Sequence, residues 1–343
     1  MAREERKVAD GQFTKAKKRR QASGSPLPSR WATEKAMREI HRVMQSREFQ
    51  SIEEANAFLS TLAGRGLKEA LKRAPALSPQ QQAQELAYRS MEAPTRRRAL
   101  ALAQQALAKD PDCVDALITL TAAQASSVED LIDGLKRAVA AGERSLGAPY
   151  FAENKGHFWG ILETRPYMRA RQQLADLLLD TGHVSEAISH FGALLELNPN
   201  DNQGVRNVLL GCYLVRDDLE GAGHLLRAYE DDASAVFNWG RVLERILSGD
   251  FKSAEQALQH ARKHNRFVEP YLTGKKKLPR ALPDSYSFGS HEEALICLDS
   301  LGEAWVAHTE ALIWLLLQDQ EVREAAQPLP KRVRETPRQP LLF

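Results

Sequence analysis

One spacing constrains this chain more than any other. Between Met168 and Asp201, the residues Leu174, Ala175, Leu178, Gly182, Ala187, Phe191 and Pro199 follow the order large, small, large, turn, small, large, closing proline. Leu174 and Leu178 are one helical turn apart, as are Ala187 and Phe191, so each pair shares a helix face. Gly182 stops the first helix and lets the second fold back. The small residues let two backbones approach closely, so a larger side chain at Ala187 would split the pair. The pattern predicts two antiparallel helices.

The same unit recurs. It returns from about Gln203 with Leu209, Leu210, Tyr213, Leu219, Ala222 and Leu226, and from about Ala235 with Trp239, Gly249, Phe251, Ala254, Leu258 and Ala261. Upstream, Leu86, Ala87 and Ser90 form one face, and Ala99, Ala103, Ala106 and Leu107 a second. Asp110-Pro111 closes that pair, and a degenerate unit follows from Val114 to about Ala141. One helix pair cannot bury its apolar face alone, so units of this kind stack on each other. Two stretches break the rhythm. Residues 142–166 concentrate Pro149, Tyr150, Phe151, Phe158 and Trp159, and residues 269–289 hold Pro270, Pro279 and Pro283, which oppose a helix there.

These breaks set the expected organisation: a disordered basic tail over 1–28, a helical N-terminal segment over 29–76, a repeat domain over 78–318 and a flexible proline-containing tail over 319–343. Ser51 with Glu54 reads as a capping box inside the second of these. The helix pair over 292–314 is expected to cap the repeats.

The helix pairs over roughly 80–265 resemble tetratricopeptide repeats. The pieces Tyr271-Leu272, Leu278-Pro279, Pro283, Gly289 and Glu293-Ala294 are similar to the C-terminal part of the suppressor-of-tumorigenicity-seven family and its bacterial relatives. The resemblance implies an all-α fold, a tetratricopeptide-like α-solenoid of stacked antiparallel helix pairs with two irregular insertions, acting as a scaffold. It carries over no catalytic residue. Animal members of that family have membrane-spanning segments near the N-terminus; the longest strongly apolar run here, Ala311 to Leu317, is far short of the ~20 residues that span a bilayer.

Bulk charge narrows the partners. The formal net charge is +2, so the whole molecule is no polyanion binder by composition. The exception is residues 1–30, with nine Lys or Arg against three acids. Lys15–Arg20 offers a possible contact for nucleic acid, but has no interleaved aromatics to stack bases, and a solvating tail is favoured. Cys113, Cys212 and Cys297 are too scattered for a metal site and read as small buried hydrophobes in a reducing cytoplasm. The expected setting is cytoplasmic, with no membrane, no cofactor and no metal. His260 and His264 share a helix face, but no glutamate stands where a zinc hydrolase needs its base.

The block His157, Phe158, Trp159, Glu163, Arg165, Tyr167, Arg169 and Arg171 is the best candidate site. In stacked pairs the first helices line a concave face, and there Arg169, Gln172, Gln173, Asp176, Asn207 and Gly211 are expected to point inward. Buried aromatics would anchor a protein or peptide partner, while Arg165 and Arg169 would grip an acidic group. The opposing reading is that Glu163 pairs with an arginine and His157 packs within the insertion. A catalytic role for His157 and Glu163 would need both in one buried, convergent pocket.

Overall fold

In the computed structural model, residues 30–63 and 66–318 are described. Among them all regular structure is helical, without strands. The basic tail over 1–28, including Lys15–Arg20, and the tail over 319–343 lie outside the described residues. The rest belongs to two compact units, one reaching Cys212 and one starting at Tyr213. The division falls within the span that the repeat pattern marks as one domain.

The first unit opens with α1 (Arg30–Gln45), α2 (Ile52–Thr61) and α3 (Gly66–Arg73). Ser51 caps α2 by accepting from the Glu54 N–H, but the Glu54 carboxylate turns to the Gln50 N–H, so only half of the expected box forms. Then come α4 (Pro79–Met91), α5 (Arg96–Lys109), α6 (Val114–Gln124) and α7 (Val128–Leu146). Ser78 with Gln81 starts α4, and Ser127 with Asp130 starts α7, each through a complete capping box. A short α8 (Ala148–Asn154) and two 3-10 turns (Phe158–Gly160 and Leu162–Thr164) lead into α9 (Arg165–Asp180), α10 (Val184–Leu197) and α11 (Val205–Val215).

Consecutive helices pack pairwise. α4 lies on α5, α6 on α7 and α9 on α10, and the first helices of successive pairs also touch, α4 with α6 and α6 with α9. Ala83, Ala87, Ala103 and Ala106 fill the α4–α5 seam with no exposed surface. Alanine leaves no room for a longer side chain there, which is why this seam is close.

The second unit holds α12 (Leu219–Ala228), α13 (Ala235–Leu247), α14 (Phe251–His264), the single turn α15 (Glu269–Leu272), α16 (His291–Ala307) and α17 (Thr309–Leu317). α13 is its centre, packing on α12, α14, α16 and α17. Trp239 and Trp305 meet edge to face in this core, ring centroids 6.3 Å apart.

Three of the turns between consecutive helices are built the same way. Gly182, Asp217 and Gly249 have φ of 84°, 57° and 76°. Each stands five residues before a fully buried alanine, Ala187, Ala222 and Ala254. The residue after each donates back to a carbonyl five positions earlier: His183 to Leu178, Asp218 to Tyr213, Asp250 to Arg245. A left-handed residue in this place closes a helix C-terminus. Glycine adopts it without a Cβ penalty, and aspartate is among the few other residues that tolerate it.

Two expectations about the breaks differ from the fold. Gly142 does not stop α7, which continues to Leu146. It is a packing glycine: a Cβ there would lie 2.8 Å from the Tyr167 ring. In the second break, Pro270 sits at the start of α15, where its missing N–H is no loss.

Candidate functional site

The first helices of three successive pairs line an open hollow of about 840 Å³ in the first unit. Its floor is α6, with Ile118, Thr119 and Ala122. One wall is the α4–α5 turn at residues 93–96, and the other is α9, with Arg169 and Gln173. Small residues make this hollow. Alanines at 93, 99, 122, 123 and 125 leave space that larger side chains would fill.

The inner edge of the cavity is a buried ionic centre. Arg169 spans two carboxylates: Nη1 donates to Glu34 at 2.9 Å, Nε and Nη2 to Asp115 at 3.2 and 2.5 Å. Glu34 is 7% exposed, Asp115 1% and Arg169 8%. The Tyr88 hydroxyl donates to Glu34, and the Gln84 amide donates to Asp115 at 2.6 Å. Arg165 stands 3.8 Å from Glu34. Burial alone would lower the Arg169 guanidinium, but Asp115 and Glu34 overcome this and hold it above its ordinary value. Burial, together with Glu34, likewise raises the Tyr88 phenol against the pull of Arg38.

Glu34 lies on α1, 135 residues before Arg169 in sequence. Two links from α1 to α4 are also polar: Lys35 to Glu85 at 2.5 Å and Arg38 to the Tyr88 hydroxyl at 3.4 Å. Beside them α1 leaves a second cavity, about 230 Å³, with Arg42, Leu77 and Glu163 in its lining.

The residues singled out from sequence take several different places. Phe158 and Tyr167 are buried. They form a ring cluster with Tyr150 and Phe151, with Phe151 4.9 Å from Phe158 and 5.1 Å from Tyr167. They are the core of the 142–166 segment, so they have no face left for a partner. Trp159 is half-buried under Arg165, whose guanidinium lies 5.3 Å from the ring and whose Nε donates to the Trp159 carbonyl. Arg171 bonds the Tyr167 hydroxyl and stands 3.9 Å from Glu143. Gln172 is tied to Gln203, whose amide donates to it at 2.7 Å. Asn207 is half-buried on α11.

Arg165 and Arg169 do meet an acidic group, but it is the chain's own Glu34. The reason is topological: α1 folds back onto α4 and α9, which no local spacing announces. His157 and Glu163 are both exposed, so the buried pocket that acid–base work requires is not formed. Among the described residues no group of three or more His, Cys, Asp or Glu could hold a metal ion. His260 and His264 stack at 4.3 Å, with His260 exposed. Among the described residues no helix is long and apolar enough to cross a membrane. The three cysteines are buried thiols, and burial pushes Cys113 up to about 12.

Sequence reasoning missed Glu34, Tyr88, Asp115 and the floor residues Thr119 and Ala122. One signal was present. Asp115 occupies the first turn of an otherwise apolar helix and is 1% exposed; a carboxylate there demands a partner.

No protein-family model matches the chain, and a comparison with curated proteins finds no match.

Proposed function

We propose that this protein is a helical-repeat scaffold of tetratricopeptide type that receives a segment of another protein on the face formed by α4, α6 and α9. The 840 Å³ hollow over Thr119, Ala122 and Gln173 carries this reading. It has the breadth of a site for side chains rather than for a single ion. Its lining mixes methyl groups with hydroxyls and an amide, the mixture that suits a segment of polypeptide. The repeated left-handed turns and buried alanines support the repeat reading. The likeness to the suppressor-of-tumorigenicity-seven family belongs to the same proposal. It rests on the sequence pieces alone, of which Tyr271 and Glu293 are buried and Gly289 has φ of 72°. Cytoplasmic action fits the three free thiols.

The test is photo-crosslinking in native extract. A photoreactive residue at Gln173 should trap a discrete protein, and Ala122→Trp in the same chain should abolish the adduct by filling the floor. The reading fails if Gln173 traps nothing beyond what a probe at exposed Ser189 on α10 traps. It also fails if Ala122→Trp leaves the adduct intact.

A further inference from the structure

The ionic centre at the edge of the hollow shows what the partner must bring. Four charged groups meet there: Glu34 and Asp115 against Arg165 and Arg169. Three of them belong to the repeat helices. Only Glu34 comes from α1. Without α1 the repeat helices would present two guanidiniums against one carboxylate, together with a Tyr88 hydroxyl whose acceptor is gone. That arrangement is a receptor for one carboxylate, one cation in excess, with the Arg169 Nη1 and the Tyr88 hydroxyl already aimed while the Arg169 fork stays on Asp115.

The rest of the α1 contact has the character of a ligand rather than of a core seam. α1 meets α4 through Lys35–Glu85 and Arg38–Tyr88, with both partners of the first pair partly exposed. The cavity of about 230 Å³ remains beside them. There the Arg42 Nε is enclosed and has no hydrogen-bond partner. Val43 is the one apolar α1 side chain among those described that is fully buried. The α4–α5 seam, closed by four alanines without a gap, is the contrast.

Energetics separates vacancy from exchange. Removing one partner of a buried pair is strongly destabilising, because a charge is left without compensation. Replacing one carboxylate by another leaves the pairing intact and is close to neutral. The site therefore resists emptying but permits substitution.

We infer that α1 is a built-in ligand. Its Glu34 holds a carboxylate site which a helical segment of the partner takes over, placing its own glutamate on Arg169 and Tyr88. The sequence of α1 gives the form of that segment: an acidic residue, a basic residue next to it to meet Glu85, and a second cation one turn on, as in Glu34, Lys35 and Arg38. This inference rests on the scaffold reading and names the chemistry of its partner.

The test uses the full chain and a labelled peptide of residues 30–45 as probe, followed by fluorescence anisotropy. Wild-type chain should bind the peptide weakly, since its own α1 competes at the high effective concentration of a tethered segment. Glu34→Gln should tighten binding by roughly tenfold or more. Lys35→Glu provides a second variant that leaves the buried centre intact; it repels Glu85, loosens α1 and should tighten binding in the same direction. A peptide with Glu34→Gln should lose binding to both variants, as should either variant carrying Arg169→Gln.

Equal uptake by wild type and both variants, or none by any, overturns the inference. So does uptake that survives Arg169→Gln. A concentration-dependent dimer in place of peptide uptake assigns the site to a second copy and overturns the partner. Failure here with a retained Gln173 adduct leaves the scaffold reading standing; loss of the adduct with peptide uptake does the reverse.

Discussion

Glu34 and Glu293 are both buried carboxylates that tie distant segments together, and they are held in opposite ways. Glu34 faces a guanidinium, a phenol and a second arginine. Glu293, 3% exposed, accepts from the Ala235 N–H at 2.9 Å, the Gly289 N–H at 2.7 Å and the Asn265 amide at 2.9 Å. The first is balanced by charge from side chains. The second is held largely by backbone donors, one at the start of α13, where the helix dipole favours an anion. Backbone donors cannot swing away, so the second centre locks the 269–289 loop and α16 onto α13 and α14. Side-chain charges can accept another carboxylate, so the first centre is the one suited to exchange.

The comparison is broken most forcefully at Arg169. Arg169→Met should remove about 3–5 kcal/mol of stability, because Glu34 and Asp115 would remain buried without the guanidinium that pairs them, with Arg165 no nearer than 3.8 Å to Glu34. Urea denaturation of the full chain measures it. A loss below about 1 kcal/mol would mean that water reaches the carboxylates and that no buried centre exists.

Glu293→Gln is the matching change in the other unit. No cation there depends on the carboxylate for balance, so the damage is confined to donor–acceptor mismatch. The new NH₂ would face N–H groups that need an acceptor, which costs about 1–3 kcal/mol. A loss as large as that of Arg169→Met would erase the distinction between the two centres.

The two centres also mark where sequence reading stops. The helix pairs were legible because their cause is local: apolar residues one turn apart, a left-handed turn residue and a small residue five positions on. Gly182 and Ala187 announce that geometry by themselves. Asp217 was less legible, since aspartate fills a place where glycine is expected. Gly142, where the first break in the rhythm begins, lies inside α7 as a packing glycine, and only the arrival of Tyr167 shows it. Arg169 was read as pointing inward from its helix, and it does line a hollow. Its partners were not visible, because Glu34 and Asp115 lie 135 and 54 residues away and nothing in the spacing pairs them. The aromatic residues Phe158 and Tyr167 were read as a surface for the same reason: composition gives their density, not the direction in which they pack.

The smallest effect tests how far the balanced charge at Arg169 extends along α9. Two residues on, Arg171 lies beside His190 of α10, with Lys136 of α7 and Glu186 of α10 also near the ring. Burial lowers the His190 imidazole below its ordinary value; Arg171 and Lys136 lower it further, and Glu186 opposes them. A base held low in the fold takes up a proton more readily when unfolded. Stability should therefore fall as pH drops through the ordinary imidazole range and return as pH rises above it. His190→Gln removes that segment of the pH dependence and leaves the rest. Urea midpoints at about pH 8 and about pH 5 give the measure: the wild-type midpoint should fall further between them than the variant's. Equal falls would show that His190 is not held below its ordinary value in the fold, so that neither its burial nor the neighbouring Arg171 bears on its proton.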